Sequence, residues 1–303
     1  MHVHSARCGC HALRANAEGR YDPTRTTALR ARYEAELVRR FRRLAKRIRA
    51  VVGEGDAFGL HKVRANQEAP FGGESFNFPR SSDKVSAFMR WLEDQEYAGI
   101  LETTRGASMQ SSAERAWQNV YIRTAYQKGI AQAAGLMRRD GVEVSDRWID
   151  AGILRPIHAD RVGLIYTRAY ADLEGITDAM DQKISGELAQ GLAEGIGAKA
   201  LAKRLIDRVE GIGVTRARAL ARTETIRAHA DGTLNSYEEA GLEGVTVLSE
   251  FSTARDNAVC PKCQDLEGQT FTLAEARGVI PVHPNCRCAW LPVVENPRGV
   301  VLA

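Results

Sequence analysis

The chain has 303 residues, enough for about two domains, and its 44% hydrophobic and 26% charged content is ordinary for a soluble globular protein. No run of about 18 apolar residues occurs, which excludes a transmembrane helix, and Met1 to Arg20 lacks the apolar centre of a secretory signal. The net charge of +4 hides an asymmetry: residues 1–52 carry 13 Lys/Arg against 4 Asp/Glu, and the remainder 29 against 34. A basic arm on a mildly acidic body points to an anionic partner for the arm.

The first stretch, 1–24, reads as a flexible polar tail, although His2, His4, Cys8, Cys10 and His11 are metal-friendly residue types. Without a secretory signal the cysteines are expected to be reduced, which favours metal or free thiols over disulfides. Residues 25–184 read as a helical N-terminal region. Its first element is a basic helix over 25–52, with Leu29, Tyr33, Leu37, Phe41, Leu44, Ile48 and Val51 in one apolar stripe. Asp22-Pro23-Thr24 offers a turn and cap before it, and Gly53 and Gly55 end it. Beside the stripe stand Arg39, Arg40, Arg42, Arg43, Lys46, Arg47 and Arg49. They suit phosphate contact, or equally a solvated face whose long side chains cover apolar surface. No aromatics interleave with them, so any DNA contact is expected to be independent of sequence.

Residues 53–80 read as a loop punctuated by Gly59, Pro70, Gly72, Gly73 and Pro79, with Phe71, Phe76 and Phe78 pinning it to a neighbouring surface. Ser81-Ser82-Asp83 is expected to cap a helix from Lys84 to Ala98. One long helix is expected from Ser111 to Arg139, a break at Pro156 with His158 capping or packing, and several short helices over 159–205 interrupted at Gly175, Gly186, Gly191, Gly195 and Gly197. Glu194-Gly195-Ile196-Gly197 recurs as Glu210-Gly211-Ile212-Gly213. The second copy is similar to a helix-hairpin-helix turn, in which Gly211 and Gly213 would offer backbone N–H groups to a DNA phosphate. The competing reading is a tight turn between packed helices.

A helix from Val214 to Ala240 follows, holding Ala221-Arg222-Thr223-Glu224 and closing at Gly241. The period then changes. Strands are expected around 245–251, 270–272 and 288–294, with a short helix at 273–277. The fold class is α+β: a mostly helical, extended N-terminal region, then a small α+β C-terminal domain around a Cys/His cluster.

That cluster is the most chemically specific feature. Four of the six cysteines fall between Cys260 and Cys288, with His283 among them. Cys-x-x-Cys followed by His-x-x-Cys-x-Cys is how a small domain holds a tetrahedral metal. Cys260, Cys263, His283 and Cys286 are the expected Zn²⁺ ligands, with Cys288 able to replace either of the last two. Four protein ligands leave no open position, so the metal is expected to be structural. The cysteines could instead be free thiols. No His-Glu-x-x-His base stands nearby, and Glu224, Asp256 and His283 show no spacing that suggests a catalytic acid–base set, so no enzyme is expected.

Several blocks together resemble the phage Mu F-like, or head-morphogenesis, minor head proteins. They are Arg216-Ala217 leading into Ala221-Arg222-Thr223-Glu224, then Thr253-Ala254-Arg255-Asp256, then Val259-Cys260 with Cys263, Leu266 and Gly268, then Pro281-Val282-His283-Pro284-Asn285-Cys286-Arg287-Cys288. The resemblance covers 185–293, leaving 294–303 as a tail. Phe76-Asn77-Phe78, Trp91-Leu92 and Trp117 with Tyr121-Ile122 and Tyr126 extend it toward the N-terminus. It implies a virion component made in the host cytoplasm and placed in the head interior or at the portal vertex. Its implied partners are the portal protein, capsid or scaffold proteins and packaged double-stranded DNA, with no membrane, and its implied roles lie in head morphogenesis and in DNA packaging or ejection. The family's Cys/His residues are read as a metal or structural site, which here means Cys260, Cys263, His283, Cys286 and Cys288.

Overall fold

The computed structural model describes residues 22–60, 74–103, 112–242, 244–295 and 301–302. The expected metal-friendly residues of the first 21 positions, and Pro70, Phe71, Gly72 and Gly73, lie outside them. Two compact units form, each from separated stretches of chain. A mixed unit takes the described parts of Met1–Arg32, Val120–Ile165 and Arg222–Ala303; a helical unit takes those of Tyr33–Asn119 and Tyr166–Ala221. This division by contact differs from the sequence-order division into 25–184 and 185–293.

Helix α1 (Thr27–Ile48) buries its stripe as expected, with Tyr33, Leu37, Phe41, Leu44 and Ile48 all inside the helical unit. It continues as a single π-helical turn, Arg49–Glu54, rather than as regular helix to residue 52. At that turn an added Cβ on Gly53 would stand 3.1 Å from the Ala202 Cβ, so the small residue permits close packing. Phe76 sinks into an aromatic cluster with Phe58, Phe88 and Trp91, at centroid distances of 5.3 to 6.0 Å. Phe78 does not join it and is 42% exposed. Helix α2 (Ser81–Gly99) begins earlier than expected: Ser81, Ser82 and Asp83 form its first turn, and Arg80 is the cap position without a side-chain bond. Asp83 there faces the positive end of the helix dipole.

The single helix expected over 111–139 is two, α3 (Ser112–Arg115) and α4 (Asn119–Arg139). The break is held by partners distant in sequence. Trp117 donates from its backbone N–H to the Glu102 carbonyl at 3.3 Å and from its ring to the Ile100 carbonyl at 2.8 Å. The Asn119 amide donates back to the Ala113 and Glu114 carbonyls. Groups released by the break are thereby satisfied.

The opposite correction applies to the stretch after Pro156. α6 (Pro156–Glu194) is one 39-residue helix that runs through Gly175, Gly186 and Gly191. A helical glycine costs about 1 kcal/mol relative to alanine, whereas each large apolar side chain buried by the helix returns about 1.5–3 kcal/mol. Val162, Ile165, Leu173, Ile176, Met180, Ile184 and Leu188 are all buried, so the stripe wins. The helix stops at Gly195, whose φ of +65° suits glycine. α7 (Ala198–Arg208), a π-helical turn at Val209–Val214, and α8 (Thr215–Leu242) follow.

In the mixed unit Asp22 organises the start of α1. Its carboxylate accepts from the N–H groups of Thr24, Thr26 and Thr27 and from Arg30. Burial raises this carboxyl, but Arg30 and the threonine bonds outweigh it and hold the pKa at about 2. After α4 come β1 (Glu143–Val144) and α5 (Asp146–Ala151), capped by Ser145, which accepts from the Trp148 N–H. α8 closes later than expected, at Gly244 (φ +97°). Then come β2 (Thr246–Ser252), α9 (Pro261–Leu266), β3 (Thr270–Phe271), α10 (Leu273–Ala276) and β4 (Ala289–Glu295). The three strands form an antiparallel sheet in the order β3-β2-β4, with Phe251 opposite Trp290. The α+β class is as read from the sequence. The expected tail over 294–303 contributes the end of β4 and β5 (Val301–Leu302), which pairs in parallel with β1. Among the described residues no helix is long and apolar enough to cross a membrane.

Candidate metal centre

Two turns of the mixed unit build the centre. In the first, Cys260 is the N-cap of α9 with Pro261 behind it at the first helical position. Proline lacks the N–H that would be unsatisfied there and has φ preset for the helix. The Cys260 Sγ accepts from the Cys263 N–H at 3.4 Å, so one short turn turns both sulfurs the same way. The second turn is 283–286, closed by the Cys286 N–H on the His283 carbonyl at 3.1 Å. Asn285, at φ +66°, takes the left-handed position, which asparagine tolerates better than most residues.

The turns converge at Cys263. Its Sγ lies 3.3 Å from His283 Nε2. The other imidazole nitrogen, Nδ1, is 2.8 Å from the Pro284 carbonyl, an acceptor that places the ring proton on Nδ1 and leaves the Nε2 lone pair directed at the sulfurs. All five candidate ligands come together, as two groups that share Cys263: Cys260–Cys263–His283 and Cys263–Cys286–Cys288, the ligand atoms in each lying within 4.8 Å of one another. Tetrahedral zinc with bonds of about 2.3 Å sets sulfurs about 3.8 Å apart, so each group has a span that a metal can draw in. Cys263, Cys286 and Cys288 are buried and Cys260 is partly exposed.

The thiols are electrically coupled. The hydrogen bond from Cys288 draws Cys286 down to about 5. Cys288 is correspondingly pushed up, first by that bond and then by burial. Burial, followed by the Cys286 charge, pushes Cys263 up to about 12. One thiolate with thiols donating to it is the metal-free arrangement of such a cluster, and a divalent ion would displace the remaining protons. Four thiols and one imidazole on two turns fit a closed structural site.

Partners outside the cluster were not apparent from spacing. Arg287 makes a two-pronged ion pair with Asp256, both contacts 2.6 Å, bracing the strand entry of β4 against the loop before α9. Glu267 accepts from the Thr253 N–H at 2.6 Å and pairs with Arg255 at 2.8 Å. Arg222 reaches Asn285 at 3.3 Å, which ties the α8 Arg-Thr-Glu stretch to the second turn. Glu224 is buried and paired with Arg227 at 2.5 Å.

The expected contact residues of the helical unit divide. Arg40 is committed internally: it binds Glu36, Glu102 and the Gly99 carbonyl, and its guanidinium lies 3.9 Å from the Trp117 ring centroid. Arg39, Arg42, Arg43, Lys46, Arg47 and Arg49 are exposed. Arg39 pairs with Glu36, Arg42 with Glu210 at 3.6 Å, and Arg47 binds Gln95. Gly213 is buried, and a Cβ there would overlap Phe41, so its role is the close packing of the turn; Gly211 is exposed.

Residues 182–291 match the family model described as Phage Mu protein F like protein. No curated protein and no solved structure matches the chain.

Proposed function

We propose that this chain, which carries a phage Mu F-like domain over residues 182–291, is a structural minor head protein of a tailed bacteriophage that docks at the portal vertex during head morphogenesis. The match supports a phage head-related role. The match is the observation that carries the proposal, and it spans α7, α8, β2, β3, the start of β4 and the whole Cys/His centre. In this reading its partners are the portal protein and capsid or scaffold proteins, its location is the virion, and a part in DNA packaging or ejection follows from that location. In this reading Glu224 and Asp256 have structural roles, each held in an ion pair. Co-expression with a tailed-phage portal protein and its capsid protein is the direct test. Elution together with the portal ring at a fixed ratio is expected; a chain that elutes alone, in the presence of portal and of capsid protein, overturns the proposal.

For the centre we propose a Zn²⁺ staple, held by Cys260, Cys263, His283 and Cys286, with Cys288 able to replace either of the last two. The ion would supply no reaction chemistry, only a link between the loop before α9 and the loop before β4. Protein purified under reducing conditions should carry about one zinc per chain, and less than about 0.2 removes the assignment. Cys263→Ser should abolish binding because that sulfur belongs to both groups, and binding should weaken on acidification as the ligands take up protons.

A second reading rests on the exposed arginines of α1. Arg39, Arg42, Arg43, Lys46, Arg47 and Arg49 would contact DNA phosphates irrespective of sequence. A duplex shift that weakens as salt rises is expected; no shift at low salt disposes of it.

A further inference from the structure

In the helical unit α2 and α6 meet through two carboxyl groups. Glu96, near the end of α2, is 3% exposed, and Asp181, midway along α6, is half-buried. Their side chains are in hydrogen-bonding contact. Among the described residues neither Glu96 Oε1 nor Asp181 Oδ1, both buried, has a donor. Ionised carboxylates only accept hydrogen bonds, so contact between two of them requires a proton on one.

Among the described residues the leading charges on the pair are acidic. The other charged groups acting on the pair are Glu93 from α2 and Asp178 from α6, both acidic, and Glu174 stands one turn from Asp178 on α6. Nor does the geometry suit a metal ion. Among the described residues, sets of three or more ligand atoms within 4.8 Å of one another are confined to the cysteine centre, and two carboxylates alone make a poor cage for a divalent cation.

We propose that Glu96 and Asp181 form a proton-dependent clamp, in which one shared proton holds α2 against α6 and its removal forces the helices apart. Burial first, then the Asp181 charge, lifts Glu96 to about 10, and burial lifts Asp181 to about 6. The folded chain therefore keeps a proton that the unfolded chain releases above about 4.5. The clamp is at full strength below that pH and loses strength steadily as pH rises toward about 10. Because α2 also carries Phe88 and Trp91 of the aromatic cluster, alkaline loosening should spread to the segment pinned by Phe76.

The test compares the full chain with Glu96→Gln, whose amide donates to the Asp181 carboxylate at every pH. Wild-type melting temperature should fall by about 5 °C or more between about pH 6 and pH 9, and the variant by less than half as much. Wild type should also retain the infrared band of a protonated carboxylic acid at about pH 8, and the variant should lose it. Equal pH slopes, or no such band in wild type, overturn the clamp. Should Glu96→Gln fail to fold, Asp181→Asn makes the same comparison with the donor on the other helix. Magnesium or manganese that raises the wild-type melting temperature at about pH 8, without effect on the variant, would assign the pair to a metal and overturn the proton.

Discussion

Where α4 crosses α8 in the mixed unit, Gly129 and Gly232 stand in helix interiors because backbone meets backbone. A Cβ on Gly232 would press on the Tyr126 carbonyl, and one on Gly129 on the His229 carbonyl and the Thr233 N–H. In α6, within the helical unit, Gly175 and Gly186 are equally interior, yet nothing lies within 4 Å of where their Cβ would be. The residue and its helical setting are the same, and only the neighbour differs. The difference extends to buried polar groups. Beside the α4–α8 crossing, the Tyr126 hydroxyl lies 2.7 Å from His158 Nδ1 and accepts from Asn235 at 2.8 Å. His158 Nε2 meets Glu239 at 3.1 Å, and Arg155 pairs with the same carboxylate at 2.5 Å. The Glu239 carboxylate there has Arg155 as its opposite partner, whereas among the described residues the leading charges on Glu96 and Asp181 are acidic.

The crossing is broken most severely by Gly232→Ala. The added methyl overlaps main chain on α4, which cannot rotate away as a side chain can, so α8 must shift. A loss of about 3 kcal/mol or more is expected in chemical denaturation, with near-ultraviolet dichroism reporting the disturbed Tyr126. A loss below about 1 kcal/mol would mean that the helices separate easily and that the contrast with α6 is empty.

Much of this was legible from pattern. The stripe of α1 and the change of period before β2 gave their elements, because local burial decides both. Cys-x-x-Cys and His-x-x-Cys-x-Cys located the centre, since each pair is fixed by one turn. What the sequence could not display were choices made by distant partners. Trp117 breaks a helix because Glu102 and Ile100 accept its bonds. Arg40 resembled its basic neighbours until Trp117 and Glu102 claimed it. Which sulfurs complete a ligand set depends on how two turns meet at Cys263. The glycines are the plainest case: a helical glycine can signal a break, a close approach or neither, and only the opposing surface distinguishes them.

The same crossing buries His229. It is fully buried, neither ring nitrogen has a hydrogen-bond partner among the described residues, and burial draws its pKa down to about 4. Unfolded, the ring takes a proton near its ordinary 6.5; folded, it does not until about 4. Stability should therefore be complete above about pH 6.5 and decline as pH falls to about 4, by up to about 3 kcal/mol. His229→Leu should flatten that acid limb. The clamp of the helical unit weakens in the opposite direction, with rising pH, so a chain carrying both His229→Leu and Glu96→Gln should show the broadest pH plateau. If His229→Leu leaves the acid limb unchanged, another group causes it and the crossing is wetter than its geometry indicates.

The smallest effect tests the other side of the comparison. Gly175→Ala and Gly186→Ala place a methyl in open space on an exposed face of a helix. Each should stabilise by about 0.5–1 kcal/mol, because alanine has less backbone freedom to lose and the helix already passes through both positions without strain. The gains should add, since the sites are three turns apart and share no neighbour. A destabilising result at either site would show that α6 bends or opens there. The glycine would then be acting as the interruption its sequence suggested, and a continuous α6 would be one state of a helix that also breaks.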